Sequence, residues 1–345
     1  MKIRANIPAV IRAGFRGGIN MGKIDTRKLS TDTQQLNICF YGVGGVGGYY
    51  GTLMARYIHE TGTGKTTFIA RGKHRDAIQA NGLRLKKDGG KEEILARPAA
   101  CTDTVDGLPV FDIVVVSVKG YDLDAASRAV GRVTDENSII LPLLNGADIY
   151  DRMRPHIKKG YLLPSCVYLG THIESPGVIF QKGGSRQISV GRDPRHPDFY
   201  PDKLIDLFTE AGILIRFFED VNVEIWTKYI FIAAFALVTA TYDKTIGEVA
   251  ENEVLSRRVQ YIMKEIAGIA QALSIPVPED IVETSFSKAG QFAFETKTSF
   301  QRDVETRGRQ SEWDLFGGTV IRYGKQLNIS VVHTQETFDR LMKKL

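Results

Sequence analysis

A chain of 345 residues is long enough for about two domains, each with its own core, and 43% hydrophobic with 25% charged residues excludes a disordered or fibrous protein. A formal net charge of +5, spread over lysines and arginines interspersed with nearly as many acids, disfavours nucleic acid as partner and leaves an anionic small molecule as the expected one. The three cysteines, Cys39, Cys101 and Cys166, are widely spaced and form no Cys-x-x-Cys pair, which points to a reducing, cytoplasmic setting rather than a disulfide framework or zinc site.

Residues 1–35 read as an N-terminal extension, either disordered or preceding a true start at Met21. Segment 1–20 carries Lys2, Arg4, Arg12 and Arg16 without an acid, but Pro8, Gly14, Gly17 and Gly18 interrupt its apolar stretches and make a poor signal-peptide core. From 36 to 220 short β-branched runs alternate with helical ones. Strands are expected over 37–41, 67–71, 83–87, 112–118 and 138–143, and helices after the glycine cluster at 42–51, around 73–80 and over 122–130. The runs "DIVVVSV" and "SIILPLL" are almost continuously apolar, as strands covered on both faces are. The segment "SPGVIFQKGGSRQISVGRD" predicts two strands joined at Gly183-Gly184 as an antiparallel extension of the same sheet. After Asp220 the pattern becomes helical over 222–242, 246–273, 278–308 and 311–327. The longest apolar run there, 230–240, falls short of the about 20 residues a bilayer span needs, so no membrane partner is expected. The fold class expected is α/β, a Rossmann-like domain with a mostly parallel sheet over 36–220, followed by an all-helical substrate-binding domain over 221–345.

Six glycines crowd into 42–51 directly behind an apolar run. Within Gly42-Val43-Gly44-Gly45-Val46-Gly47 the Gly-x-Gly-x-x-Gly spacing fits a dinucleotide loop. The first glycine makes a tight turn, the second lets the backbone approach a pyrophosphate, the third lets the helix pack on the strand, and the helix N-terminus offers N–H donors. A second glycine-rich stretch, "HETGTGKTT", falls short of a Walker loop because His59 stands where the first glycine belongs and no strand precedes it; it reads as the join from helix to second strand. Past that strand stand Arg71, Lys73, His74 and Arg75 instead of the acid that would hold a ribose hydroxyl. An arginine there can take a 2′-phosphate with two parallel hydrogen bonds, so NADPH is the cofactor expected over NADH; the alternative is a solvated basic turn.

Taken in order, "FIARGKHRDAIQANGL" (68–83), "VVVSVKGYD" (114–122), "LPLLNGAD" (141–148), "EIWTKYIFIAAFALVTA" (224–240) and "TSFQRDVETRGRQSEWD" (298–314) resemble the ketopantoate reductase (2-dehydropantoate 2-reductase) family from about Leu36 to the C-terminus. The resemblance implies NADPH-dependent reduction of a 2-oxo acid to a 2-hydroxy acid, ketopantoate to pantoate in the pathway to pantothenate and coenzyme A. It implies Lys228 and Glu312 as catalytic residues, Arg71 at the 2′-phosphate, Lys119 and Asn145 beside the cofactor, and Asn145, Ser299, Lys228 and Glu312 around the substrate. Such a reduction needs a hydride from the cofactor and a proton for the carbonyl oxygen. A lysine opening a helix that continues into an apolar run suits the second task, because desolvation lowers its pKa, and a Lys228–Glu312 pair is expected between the two domains. Each residue also has a plainer reading: Lys228 snorkelling from a helix start, Glu312 as a first-turn acid, Asn145-Gly146 as a turn, Lys119 as a solvated strand end.

Two positions depart from the family pattern. Four and eight residues after Lys228, where the family commonly has asparagines, stand Ile232 and Ala236, and one extra residue near Gly308 lengthens the run from Asp303 to Glu312. A substrate less polar than ketopantoate is the expectation these raise. Other readings are a β-hydroxyacid or polyol-phosphate dehydrogenase, which "SEWD" disfavours, and a non-catalytic NADP(H)-binding redox sensor. The long helices also offer a face for a homodimer.

Overall fold

In the segment "LNICFY" nearly every side chain is apolar because both faces of the strand are covered. This is β1 (Leu36–Tyr41) in the computed structural model, which describes residues 35–306 and 310–345. There follow α1 (Gly45–Thr61), β2 (Gly64–Ile69), α2 (Gly72–Asn81), β3 (Leu83–Lys87), β4 (Glu92–Ala96), β5 (Ala100–Thr102), β6 (Ile113–Val116), α3 (Leu123–Val130), β7 (Ile139–Pro142), α4 (Ile149–Met153) and β8 (Tyr161–Leu162). The strands β5-β2-β1-β6-β7-β8 make one sheet in which every neighbouring pair is parallel. Alternate side chains feed opposite cores: Phe40, Val115 and Leu141 enter one apolar cluster, while Cys39, Val114, Val116 and Ile140 enter another. The order reverses between β1 and β6, which opens a crevice beyond their carboxyl ends.

The next stretch holds β9 (Ser165–Val167), β10 (Thr171–Ser175), β11 (Val178–Gln181), β12 (Ile188–Gly191), α5 (Asp202–Glu210) and β13 (Ile215–Phe218). Here the sequence reading needs correction. The strand expected over 67–71 starts at Gly64 and ends at Ile69, because "GTGKTT" supplies the cap of α1 at Gly62 and the first half of β2. The 83–87 strand leaves the main sheet for a second one, β10-β11-β3-β4. The two strands around Gly183-Gly184 do not pair. β11 joins β10 and β3, whereas β12 joins β9 and β13 in a third sheet. Both glycines have positive φ, 79° and 78°, as a hairpin turn would require. The same conformation serves to carry the chain out of one sheet and into another, and local preference does not say which.

Beyond Phe218 the described residues are helical: α6 (Asn222–Tyr242), α7 (Ile246–Glu251), α8 (Glu253–Ala272), α9 (Ile281–Ser287), α10 (Ser299–Glu305), a π-helical turn at Asp314–Gly318 running into α11 (Thr319–Leu327), and α12 (Val332–Met342). The single helix expected over 246–273 is two. Thr245 and Glu248 form a reciprocal capping box on α7, and Asn252, at ψ 117°, caps α8 by accepting from Val254 and Leu255 N–H. The 21-residue α6 is long and apolar enough to cross a bilayer, more so than the run 230–240 suggests, but most of its apolar window is buried against α8, α10 and α12. Apolar on nearly all sides, it is the centre of the third apolar cluster. The expected extension at 1–34 and the extra residue near position 308 lie outside the described residues.

Candidate active site

The glycine loop is built by close approach. Gly42 has φ +93°, and a Cβ on it would sit 2.9 Å from the Ser117 backbone. A Cβ on Gly47 would lie 2.1 Å from both Gly42 O and Ser117 Oγ, whose hydroxyl donates to Gly42 O at 2.7 Å. Gly44, the N-cap of α1, is the opposite case: a Cβ there meets nothing within 4 Å. The first intrahelical bond runs from Gly48 N–H to Gly44 O at 2.8 Å, so the N–H groups of Gly45, Val46 and Gly47 precede the ladder, as they do at helix starts that receive an anion. Val43 is buried and Val46 packs on the core.

Of the four basic residues after β2, two turn out to be structural. His74 Nδ1 accepts from Gly177 N–H at 3.0 Å, in the β10–β11 turn, and burial lowers its pKa. Arg75 pairs with Asp76 and Asp103. Arg71 caps α2 with 71% of its side chain exposed, against Asp122 from the crevice wall opposite, and Lys73 is exposed beside it.

At the carboxyl ends of β6 and β7 stand Lys119 and Asn145. The helical part of the chain meets them there. Lys228, in the second turn of α6 rather than at its start, donates to Asn145 Oδ1 at 2.8 Å and to Val167 O at 2.6 Å, with the Tyr168 ring centre 5.5 Å away. It is 7% exposed, and burial lowers its pKa from 10.5 to about 8, against the opposing influence of Cys166 and Glu312. Among the described residues these are its hydrogen bonds, so one of its three N–H donors is left for a further oxygen.

The expected Lys228–Glu312 pair is not formed. Glu312, 5% exposed, accepts from Lys119 Nζ at 3.0 Å through Oε2 and from Gly120 N–H at 2.9 Å through Oε1. Lys119 also reaches Asp303 at 2.6 Å. Burial lowers the Lys119 pKa but the two carboxylates outweigh it, and the net shift is upward. Glu312 therefore acts on Lys228 through space, while its hydrogen bonds fasten it to the sheet edge. Asp303 escaped the sequence reading as a site residue. The sequence held no signal for it, since Asp303 reads there as an ordinary helical acid beside Arg302; its need for a cation follows from its burial, at 4% exposed, which only the fold shows. The Val167 carbonyl had none either, being backbone. Ser299 is exposed at the first turn of α10, behind the capping Thr298, and the structure brings it into no hydrogen bond with Lys228 or Asn145 among the described residues. Ala236 is buried and Ile232 packs on the apolar cluster of the helical part.

The family model described as ketopantoate reductase PanE/ApbA matches residues 38–195, and that of its C-terminal part matches 220–344. The chain belongs to the ketopantoate reductase family. It is 26% identical over 314 residues to the 2-dehydropantoate 2-reductase of Mesorhizobium japonicum, covering 84% of this chain and 92% of that protein. The crystal structure of 2-dehydropantoate 2-reductase from Porphyromonas gingivalis superposes with a TM-score of 0.75 at 28% identity, over 90% of this chain and all of that one. A D-mandelate dehydrogenase, in a ternary structure with NADH and anilino(oxo)acetate, shares the fold at TM-score 0.76 and 19% identity, over 90% of this chain and 98% of that chain. This chain is thus a Rossmann-type member of an oxidoreductase family.

Proposed function

We propose that this chain reduces a 2-oxo acid to the 2-hydroxy acid with NADPH, Lys228 delivering the proton to the carbonyl oxygen. The observation that carries the reading is the buried Lys228 ammonium, oriented by Asn145 Oδ1 and Val167 O with one N–H to spare, at the same sheet edge as the glycine loop. The open N–H groups ahead of α1 fit a pyrophosphate, and Arg71 with Lys73 fits a 2′-phosphate. Bound NADPH supplies the hydride. Lys228, with its pKa near 8, is protonated at neutral pH yet a stronger acid than a solvated lysine, which matches it to proton transfer. Lys119 and Glu312 orient the substrate and the nicotinamide side of the crevice, and Ser299 borders the substrate carboxylate. Ketopantoate, the substrate that the Mesorhizobium relative's name implies, is the first candidate, in the service of pantothenate synthesis.

A second reading, a 2-oxo acid less polar than ketopantoate, is favoured by one observation: Ile232 and Ala236 follow Lys228 at intervals of four along α6 and offer no hydrogen-bond donor. The D-mandelate dehydrogenase neighbour, solved with anilino(oxo)acetate, is a precedent on this fold. Loss of reduced-nicotinamide absorbance with ketopantoate, 2-oxoisovalerate and phenylglyoxylate separates the two. A strong preference for ketopantoate sinks the second reading, and no turnover with any of them, despite NADPH binding, replaces both with a sensor. In the same assay Arg71→Ala is expected to raise the KM for NADPH by roughly tenfold or more, the worth of a charge-assisted hydrogen bond pair, and to leave NADH nearly unchanged; an equal effect on both cofactors refutes the 2′-phosphate role.

A further inference from the structure

Asn145 and Glu312, the side chains that partner Lys228 and Lys119, sit on two loops far apart in sequence. Three residues after Asn145 comes Asp148, and two residues after Glu312 comes Asp314. One arginine joins them. Arg152, on α4, donates from Nε to Asp148 Oδ2 at 2.7 Å, from Nη1 to Asp314 Oδ2 at 2.8 Å and from Nη2 to Thr319 Oγ1 at 2.7 Å. Thr319 Oγ1 in turn donates to Asp148 Oδ2 at 3.0 Å. Every nitrogen of the guanidinium is used, in the fixed planar fork that lysine lacks.

The turn that Arg152 grips is the π-helical stretch Asp314–Gly318, closed by Thr319 N–H donating to Asp314 O five residues back and entered by Leu315 and Phe316 N–H, which both reach back to Glu312 O at 3.0 and 3.2 Å. Extra-wide turns of this kind are costly and cluster at functional sites. The Tyr229 hydroxyl, next to Lys228, donates to Leu315 O at 2.7 Å. On the other side the Asn145-Gly146 loop packs so closely on Leu315 that a Cβ at Gly146, which has φ +129°, would come within 2.7 Å of it.

We propose that Arg152 is a positioning residue: by tying Asp148 to Asp314 and Thr319 it sets the loop that presents Asn145 against the turn that presents Glu312, and so holds the two halves of the site in register. The inference rests on the reductase reading for its kinetic consequence but not for its structural one. Arg152 bonds Asp148, Asp314 and Thr319 and none of Lys228, Asn145, Lys119 or Glu312, so its removal shifts the site without deleting a group placed at the reacting atoms. Arg322 is a lesser member of the network, half exposed and bonded to Asp314, to Thr319 at 3.0 Å and to Asp148 at 3.4 Å.

The test compares Arg152→Met and Arg152→Lys with Arg258→Met, a control that breaks a similarly half-buried brace between α8 and α12 remote from the site. With folding checked by thermal melts, Arg152→Met is expected to lower kcat roughly 10- to 100-fold, the cost of an ångström-scale misplacement, while the NADPH dissociation constant stays within about twofold, since no phosphate contact is touched. Arg152→Lys falls between, because it restores charge without the three-way fork; Arg258→Met lowers the melting temperature and leaves kcat unchanged. A wild-type kcat in folded Arg152→Met, or full recovery in Arg152→Lys, overturns the proposal. Should Arg152→Met not fold, Asp314→Ala removes the acceptor of the Arg152 Nη1 bond, and its kcat decides in the same way.

A second readout needs no turnover: the titration of Lys228 followed by NMR of lysine-labelled protein. The groups facing that ammonium are Cys166 and Tyr168 from β9 and the segment after it, Glu224 one turn earlier on α6, Asn145, and Glu312 with its partner Lys119. Glu312 raises the Lys228 pKa, so displacing its turn lowers it. An unchanged Lys228 titration in Arg152→Met overturns the brace even if no substrate is ever found, whereas an inactive wild type with a shifted titration overturns only the reductase reading.

Discussion

A single buried ammonium sets the chemistry this site can perform. Water is excluded from around Lys228, and two oxygens, one from a side chain and one from the backbone, compensate only part of what is lost; its pKa drops to about 8. If the protonated form is the proton donor, activity is full below that value and declines as pH rises through it. We expect kcat/KM against pH to show its alkaline limb near 8, where a solvated lysine would put it near its ordinary 10.5. Lys228→Ala is expected to lose roughly 10²–10⁴-fold in kcat and the limb with it. A pH profile flat through that range, or a fully active Lys228→Ala, excludes the role. The residue type and its helix were legible in the motif "EIWTK". Its partners were not: Asn145 is 83 residues away in sequence, and the Val167 carbonyl carries no side-chain signal at all.

Among the elements, the glycine turn and the long apolar segments were legible from local rules, whereas boundaries set by caps, as at Gly62 and Asn252, and sheet membership set by partner choice were not. Gly42 and Gly47 declare themselves because a turn with positive φ, and a helix start where a methyl group would come within 2.1 Å of Gly42 O and Ser117 Oγ, tolerate nothing else. The strand 83–87 was likewise legible as a strand. Its sheet was not: β3 turns back on its near neighbour β4 and takes β11, some ninety residues on, as its other partner, instead of joining the main sheet. Asp193 is a hub of the same non-local kind. Fully buried between α4, β8 and α5, it accepts from Tyr150 Oη at 2.8 Å, Leu162 N–H at 3.0 Å, Arg195 N–H at 3.0 Å and Arg154 Nη1 at 3.3 Å, with His196 Nδ1 at 2.9 Å. Burial pushes its carboxyl up, but the hydrogen bonds from His196, Arg195, Tyr150 and Leu162 outweigh it and hold it below the ordinary 3.8. A carboxyl depressed in the folded state stabilises it fully above that ordinary value and loses the contribution as pH falls through and below it. Asp193→Ala strands the buried Arg154 guanidinium, and we expect urea denaturation at neutral pH to show a loss of roughly 3–5 kcal/mol. The deficit relative to wild type should shrink in acid, and a deficit independent of pH would exclude the charged form.

At the scale of the whole molecule, a parallel sheet lends its carboxyl edge and a helical bundle lends Lys228, Asp303 and Glu312 to one crevice. In the function proposed above the sheet edge alone holds the nucleotide, which gives a prediction that separates fold from function. NADPH at about 100 times its dissociation constant should add roughly 2.7 kcal/mol of stability, read as a rise in melting temperature. Gly44→Ala should unfold within about 0.5 kcal/mol of wild type, because a methyl group there touches nothing within 4 Å in the protein, and yet lose that rise, because the methyl group occupies the side from which the pyrophosphate approaches. A normal NADPH-induced rise in Gly44→Ala would remove the glycine loop from the cofactor site.

The sequence by itself determined the central strands of the parallel sheet, the glycine turn, the change to helices after Asp220, the apolar centre of α6, and which ionisable residues are available for chemistry, whereas short elements such as β4, β5, β8 and α5 carried no pattern strong enough to read. The legible features depend on φ preference, periodicity and charge within a few residues of each other. Only the tertiary structure decided that Glu312 pairs with Lys119, 193 positions away, and not with Lys228, that Asp303 completes the cluster, and that the strands on either side of Gly183-Gly184 part company. The reason is geometric: which buried charge meets which is settled by where packed helices and sheet edges bring side-chain tips to within 3 Å, and no local preference encodes that distance.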